Sequence, residues 1–151
     1  MLDQRVDPAT VSVWRVETTA IAVFIAFSCA GPLLEDSIVL AVAVFCAVMV
    51  ISVPLGWWWS KARYERLSYR VDDLGVTIRE GVWWWTHKSV PRVRIQHTDV
   101  SQGPLQRRYG VATLKLYTAG SRYTKVELEG LRHEDALALR DRLLSKEAQG
   151  D

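Results

Sequence analysis

The sequence of 151 residues has little of what metal sites and enzyme active sites are built from. Its two cysteines, Cys29 and Cys46, lie in different apolar stretches without C-x-x-C spacing, so neither a zinc site nor a disulfide framework is indicated. P-loop, G-x-G-x-x-G, H-E-x-x-H and nucleophile-elbow motifs are missing. His97 and Asp99 alternate onto one face of a predicted strand, where a structural hydrogen-bonded pair is the simpler interpretation. We therefore expect no catalytic residue, no metal and no cofactor.

An excess of charge of one sign is also missing. The chain carries 19 basic and 17 acidic side chains, a net charge of +2. Residues 1–60 hold two basic and five acidic residues, whereas residues 61–151 hold seventeen basic and twelve acidic ones. Because the acids are interspersed among the basic residues, the second part has little electrostatic footprint for nucleic acid. Nucleic acid is not expected as a partner.

The sequence does contain two long runs without any charge, Thr18–Leu34 and Ser37–Ser60. The second run makes roughly 36 Å of helix, which exceeds the ~30 Å hydrocarbon core of a bilayer. The first run is near the lower length limit for crossing, and Trp14 extends it at the interface. A Gly-Pro pair and an acidic pair lie between the runs. The sequence predicts a transmembrane helical hairpin over residues 18–60, after a segment of residues 1–17.

Basic residues flank this hairpin and are missing from its connecting loop. Arg5 and Arg15 precede the first run, and the basic residues after the second begin at Lys61. The positive-inside rule therefore predicts a two-span plasma-membrane protein with both termini in the cytoplasm. A secretory or lipoprotein signal is the competing interpretation, because Cys29 follows Ala26-Phe27-Ser28 within an apolar stretch, but the phenylalanine and the acids of the leading segment disfavour it. The residues assigned to the cytoplasmic membrane interface are Trp14, Trp57, Trp58, Trp59, Lys61, Arg63 and Arg66.

Residues 61–151 predict a cytoplasmic domain of short antiparallel strands. Apolar and polar residues alternate from Leu67 to Val71, and Asp72-Asp73-Leu74-Gly75 predicts a hairpin turn before the next strand. Val82–Val90 is predicted as a tryptophan-rich strand, and about six strands are expected in all. Residues 132–146 have the spacing of an amphipathic helix. We expect a small β-sandwich or partly open barrel capped by this C-terminal helix.

The segment Val90–Gly110, V-P-R-V-R-I-Q-H-T-D-V-S-Q-G-P-L-Q-R-R-Y-G, resembles bacterial pleckstrin-homology-like (PH-like) membrane proteins of the YdbS type. The resemblance implies a PH-like fold, two membrane helices before one such domain, and a plasma-membrane location. It also implies a frequent partner, a larger relative that carries several copies of the domain, but no known reaction. Thr98 and the pair Arg108-Tyr109 depart from the family pattern by being more polar.

Two features of the domain are candidate contact surfaces. The first is a basic surface that would face anionic lipid headgroups, and the second is a tryptophan cluster that would contact a partner protein or the bilayer. Asp72-Asp73 in the first hairpin loop disfavours specific inositol-phosphate recognition, because eukaryotic relatives carry basic residues there. The residues assigned to these surfaces are Arg92, Arg94, Arg107 and Arg108, and Trp83, Trp84 and Trp85.

The sequence thus favours a non-enzymatic, membrane-anchored PH-like module that recognises a protein or a lipid surface, in contact with the bilayer and with a membrane or cytoplasmic protein. The alternative is an accessory subunit of an export, transport or envelope-maintenance assembly, in which the hairpin packs against other membrane helices. No ionisable residue lies within the two apolar runs to mark an ion path. A transport role would therefore depend on partner subunits.

Overall fold

The computed structural model describes residues 4–72, 74–119 and 125–145. They divide into two compact units. The helical unit spans residues 11–62, and the sheet unit consists of the described residues up to Thr10 and from Arg63 onwards. Residues 4–10 of the leading segment therefore belong with the sheets, and residues 11–17 belong to the helical unit.

The helical unit is built from two long helices. Helix α1 spans Ala9–Ala30, a 3-10 turn follows over Gly31–Leu34, and helix α2 spans Ile38–Arg66. Both are long and apolar enough to cross a membrane. Helix α1 begins well before the apolar run because Asp7 caps it: its Oδ1 accepts a hydrogen bond from Ala9 N at 2.8 Å. The predicted helical hairpin is confirmed.

Small side chains lie on the buried face of α1. Ala22, Ala26 and Ala30, spaced one turn apart, are buried. A Cβ atom on Gly56 of α2 would lie 2.9 Å from Thr18 Cβ, so only glycine permits this approach of the two helices. The outward side chains are apolar, and Phe24 is 73% exposed. Such a surface is what a helix in contact with lipid presents.

The sheet unit contains two antiparallel sheets and two helices. The first sheet has the order β1-β2-β3-β4 and the second β5-β6-β7, and they are not closed into a barrel. The strands are β1 (Gln4–Arg5), β2 (Ser68–Asp72), β3 (Gly75–Glu80), β4 (Thr86–Pro91), β5 (Ile95–Ser101), β6 (Val111–Thr118) and β7 (Lys125–Arg132). The helices are α3 (Pro104–Tyr109) and α4 (His133–Ser145).

The core of the sheet unit follows from the period of two along the strands. Val76 and Ile78 of β3 are fully buried, as are Leu114 of β6 and Leu128 of β7. Helix α4 contacts β5, β6 and β7 and buries Ala136 within the core. The predicted architecture of antiparallel strands with a C-terminal helix is confirmed.

Three local predictions differ from the structure. The predicted strand Val82–Val90 is wrong in its first half, because Glu80 pairs with Thr86 and the residues between them form a loop. The leading segment adds the short strand β1, which alternation alone does not reveal over two residues. Extended pairing is predicted to continue directly after Pro91, but β5 starts only at Ile95, behind a 3-10 turn over Arg92–Arg94. Asp73, the loop residues Gly120 and Ser121, and the predicted helix end at Lys146 lie outside the described residues.

Candidate functional site

The most exposed aromatic cluster of the sheet unit is the connection between β3 and β4. This Trp loop, residues 81–85, presents Trp83, Trp84 and Trp85 with exposed fractions of 75%, 85% and 67%. The strand predicted over Val82–Val90 does not include these residues in the structure, because all three indoles are exposed on a loop. Each indole side chain carries roughly 150–250 Å² of surface. An apolar patch of this size on a small domain marks a contact surface.

Glycine at position 81 makes this loop geometry accessible. Gly81 has a φ of +144°, and a Cβ atom there would lie 1.8 Å from the carbonyl oxygen of Trp84. Only a residue without a Cβ atom fits, because the backbone folds back onto itself at this point. Gly81 therefore specifies the loop conformation locally. The three indoles are exposed and do not contribute to the core.

The Trp loop lies at the end of the first sheet where α2 joins it. Arg66, the last residue of α2, donates a hydrogen bond from Nη1 to the carbonyl oxygen of Val82 at 3.3 Å. Strand β2 starts at Ser68, which pairs with Arg79 near the end of β3. Strand β1 leads into α1, and its Arg5 also pairs with Ser68. Both connections to the helices therefore leave the sheet unit at the end that carries the Trp loop.

The first connection is fixed by what we call the N-terminal clasp: Asp7, Thr10 and Gly130. The carbonyl oxygen of Gly130 accepts hydrogen bonds from Asp7 N at 2.7 Å and from Thr10 Oγ1 at 3.2 Å. Gly130 has a φ of +83° and is the extra residue of a bulge in β7, where Ala112 and Thr113 pair on either side of it. The bulge turns this carbonyl away from the strand ladder and towards the leading segment.

The second connection borders a charged cleft of about 330 Å³. Arg63 Nη2 lies 3.1 Å from Glu129 Oε2 across one side of it. The charged residues that line the cleft are Arg63, Glu80, Lys88, Lys125, Glu127 and Glu129. Lysine and glutamate are paired, Lys88 with Glu80 and Lys125 with Glu127, the latter at 2.6 Å. The three carboxylates thus each face a cation, so the cleft has no excess of either sign.

The pKa values of two residues in this cleft are shifted by the hydrogen bond between them. The hydrogen bond from Lys125 lowers the pKa of Glu127, and the same bond raises the pKa of Lys125. Both side chains are well exposed to solvent, so the pair contributes little to stability. The arrangement keeps both groups charged at neutral pH and unsuited to proton transfer there.

A second groove, of about 370 Å³, lies between the first sheet and α4. Tyr69 and Val71 line one side, and Asp135 and Leu139 of α4 line the other. Burial raises the pKa of Tyr69, and the nearby charge of Asp135 raises it further. The phenol therefore remains protonated at neutral pH.

The four arginines that were predicted to form one basic surface lie in different surroundings. Arg92 does not face outward as predicted, because its Nη2 donates to the carbonyl of Arg142 and, at 2.7 Å, to that of Leu143, capping the C-terminal end of α4. Arg94 is exposed beside it, at the end of the first sheet opposite the Trp loop. Arg107 and Arg108 are exposed on α3.

Helix α3 ends near the N-terminal clasp. The carbonyl oxygen of Gly110, directly after α3, accepts a hydrogen bond from His133 N. The neighbouring Arg132 lies 3.5 Å from the carboxylate of Asp7. The arginines of α3 and those beside β4 therefore belong to different ends of the sheet unit, so the four do not form one surface.

The residues of the helical unit that were predicted to lie at the membrane interface differ in their exposure. Trp57, Trp58 and Trp59 are 46%, 54% and 39% exposed, and their place in an aromatic belt stays a prediction. Trp57 Nε1 donates to Thr19 Oγ1 at 3.2 Å, and the Arg15 guanidinium lies 5.4 Å from the Trp57 ring. Trp14 is only 7% exposed and is therefore buried rather than presented to a lipid interface.

The residues considered for chemistry are not gathered in a cleft. His97 and Asp99 are exposed on one face of β5, and the His97 ring lies 5.8 Å from that of Tyr117. Cys29 and Cys46 are exposed on the two helices. Among the described residues, no three His, Cys, Asp or Glu side chains are grouped to hold a metal ion.

Comparison with known proteins agrees with this arrangement of helices and sheets. The family model "Bacterial PH domain" matches residues 15–147. The chain belongs to the bacterial PH domain family. As a bacterial PH domain protein it is also similar to the UPF0699 transmembrane protein YdbS of Bacillus subtilis (strain 168), with 38% identity over 81 residues. That match covers 54% of this chain and 49% of YdbS, so the chain matches about half the length of this relative.

No solved structure matches this bacterial PH domain. The resemblance inferred from Val90–Gly110 is nevertheless confirmed, and with it a YdbS-type transmembrane protein. Sequence reasoning missed the N-terminal clasp and the contact of Arg66 with the Trp loop. Asp7-Pro8 before a helix was an available signal for the first, since both residues favour a helix start. The second depends on long-range pairing, for which the sequence holds no local signal.

Proposed function

We propose that this protein is a non-catalytic, membrane-tethered recognition module whose working surface is the Trp loop. The hairpin holds the PH-like unit at the plasma membrane, and the loop makes the recognition contact there. The observation that carries this proposal is the exposure of Trp83, Trp84 and Trp85 on a loop that the core does not need. Large indoles left in water are costly unless a contact covers them.

The distribution of basic residues supports a cytoplasmic location for the PH-like unit. Arg5 and Arg15 lie before or near the start of the first apolar run, and Lys61 follows the second. The connection between the helices instead carries Glu35 and Asp36. By the positive-inside rule, both ends of the hairpin lie in the cytoplasm and the acidic turn lies outside.

The distribution of reactive groups supports a role without catalysis. The carboxylates of the charged cleft are held in ion pairs with lysine and arginine. His97 and Asp99 lie on an open strand face, whereas enzyme sites are concave and shield their reactive groups from water. The partners we propose are the bilayer and a protein of the same membrane, with a larger multi-domain relative as the leading candidate for the latter.

Photo-crosslinking in intact membranes tests this proposal. A photoreactive residue replaces Trp84 in the full chain, and the matched control replaces Asp99, which is also exposed but lies on the second sheet. We expect adducts from position 84 to exceed those from position 99. Equal yields at both positions would contradict the proposal.

Crosslinking from a third position distinguishes the recognition module from the alternative role, an accessory subunit of a transport assembly. Val39 is 76% exposed on α2, within the apolar run. Adducts with a multi-span protein from position 39, together with none from position 84, would replace the recognition module by an accessory subunit of a transport assembly. The side of the membrane is tested separately, by the reactivity of Glu35→Cys towards an impermeant thiol reagent in a chain with Cys29→Ala and Cys46→Ala.

A further inference from the structure

The topology points to the lipid interface of the same membrane as the occupant of the Trp loop. We infer that Trp83, Trp84 and Trp85 insert between the headgroups of the cytoplasmic leaflet and hold the PH-like unit against the bilayer. This inference rests on the proposed function and specifies what the recognition surface contacts.

The first step of the argument is the direction of the strands. Strand β2 starts directly after α2 and runs away from it, and β3 returns antiparallel to it. The connection that follows β3, the Trp loop, is therefore at the end of the sheet nearest to α2. The opposite end carries Leu74 of the β2–β3 turn and Val93 after β4, whose exposed fractions are 86% and 94%. Strand β3 separates the two ends by about 20 Å, at ~3.3 Å for each of its residues.

The second step is the reach of the loop. Within the continuous helix α2, Arg66 lies six residues beyond Ser60, where the apolar run ends. Six residues of helix extend about 9 Å, and the headgroup layer occupies roughly 5–7 Å outside the hydrocarbon core. Val82 contacts Arg66, and each further loop residue extends by up to ~3.3 Å. The chain between the end of the apolar run and the loop is therefore short enough for the indoles to reach the headgroup layer.

The third step is the chemistry of the loop and its surroundings. Tryptophan prefers the membrane–water boundary, where the ring is in an apolar environment and the indole N–H keeps a hydrogen bond. The carboxylate nearest in sequence, Glu80, is ion-paired with Lys88. Arg66, which contacts the loop, and Lys61, five residues before it, favour anionic headgroups, whereas Arg63 between them is ion-paired with Glu129. A protein partner would not require this coincidence of indoles and cations at the end from which both helices depart.

The test measures the environment of the loop in the full chain, reconstituted in nanodiscs of phosphatidylglycerol and phosphatidylethanolamine. Trp84→Cys is introduced with Cys29→Ala and Cys46→Ala and labelled with the environment-sensitive fluorophore NBD. The matched control is Val93→Cys, since residue 93 is also exposed and lies at the opposite end of the sheet. Iodide quenches from water, and a nitroxide on the lipid acyl chain quenches from the bilayer.

We expect the label at position 84 to be blue-shifted and quenched by the lipid nitroxide roughly twofold or more beyond the label at 93, because interfacial side chains lie about 5–10 Å into the boundary region. Equal quenching by iodide at both positions would overturn the inference. A label at 84 that is shielded from iodide and from the nitroxide in native membranes also overturns it. That second result would leave the proposed function standing, with a protein as the occupant.

Discussion

Replacing Gly130 by alanine tests the N-terminal clasp, on which one of the two connections of the sheet unit depends. The φ of +83° at this position is unfavourable for any residue with a Cβ atom. The added Cβ would also lie 2.4 Å from Thr10 Oγ1 and 2.7 Å from Thr10 Cγ2. Neither the backbone nor the threonine can keep its present position without strain.

The magnitude follows from these two effects. A left-handed backbone costs an L-residue about 1–2 kcal/mol. Displacing Thr10 costs the hydrogen bond from its hydroxyl to the Gly130 carbonyl, which is worth about 0.5–1.5 kcal/mol. Gly130→Ala should therefore lower the free energy of unfolding of the sheet unit by about 2–3 kcal/mol.

Gly110→Ala is the matched control. Gly110 also has a positive φ, +71°, but a Cβ atom there meets nothing within 4 Å. Only the backbone cost of about 1–2 kcal/mol applies. Thermal unfolding of the full chain in detergent, followed by circular dichroism, compares the two variants, and each 1 kcal/mol corresponds to about 4–8 °C in a domain of this size. Equal losses at Gly110 and Gly130 would refute the clasp, as would a Gly130→Ala defect that Thr10→Ala leaves undiminished.

Three further predictions follow from single contacts. Arg92→Ala should destabilise the sheet unit by about 1–2 kcal/mol because the terminal carbonyls of α4 lose their donor, whereas Arg94→Ala should leave chemical denaturation unchanged. Trp84→Ser should alter unfolding by less than about 0.5 kcal/mol, and a larger loss would mean that the loop belongs to the core. Lys125 lowers the pKa of Glu127 below its ordinary value of 4.5, so this ion pair stabilises the fold above that pH and is lost as the pH falls through the lowered value. Because the exposed pair contributes little to stability, the check is an NMR titration: Lys125→Gln should raise the pKa of Glu127 towards its ordinary value, and an unchanged pKa would refute the assignment.

The sequence predicted the fold where the physical signal is local. A charge-free run such as Ser37–Ser60 defines a membrane helix by its length, and alternation along β2 and β3 defines a hairpin. The strand prediction for Val82–Val90 failed because three adjacent tryptophans satisfy the composition of a strand, although the register of Glu80 with Thr86 leaves them in a loop. The role of Arg92 could not be predicted, since the carbonyls that it binds are 50 residues or more away in the chain.

Only part of the candidate site could be predicted from the sequence. The indoles of residues 83–85 are evident in the sequence as a contact surface, but their location beside Arg66 depends on how β2 and β3 pair. Likewise, nothing near Gly130 indicates that its carbonyl receives the leading segment, because the two are joined only by the folded chain.

Two covalent connections to the helices give the PH-like unit a property that a freely diffusing domain lacks. A linker as short as the one between Arg66 and Ser68 keeps the domain at millimolar effective concentration relative to whatever lies at the membrane surface. Contacts that would be too weak to detect in solution are then occupied most of the time. For the proposed contact of the Trp loop, this means that a few indoles suffice without a deep binding pocket.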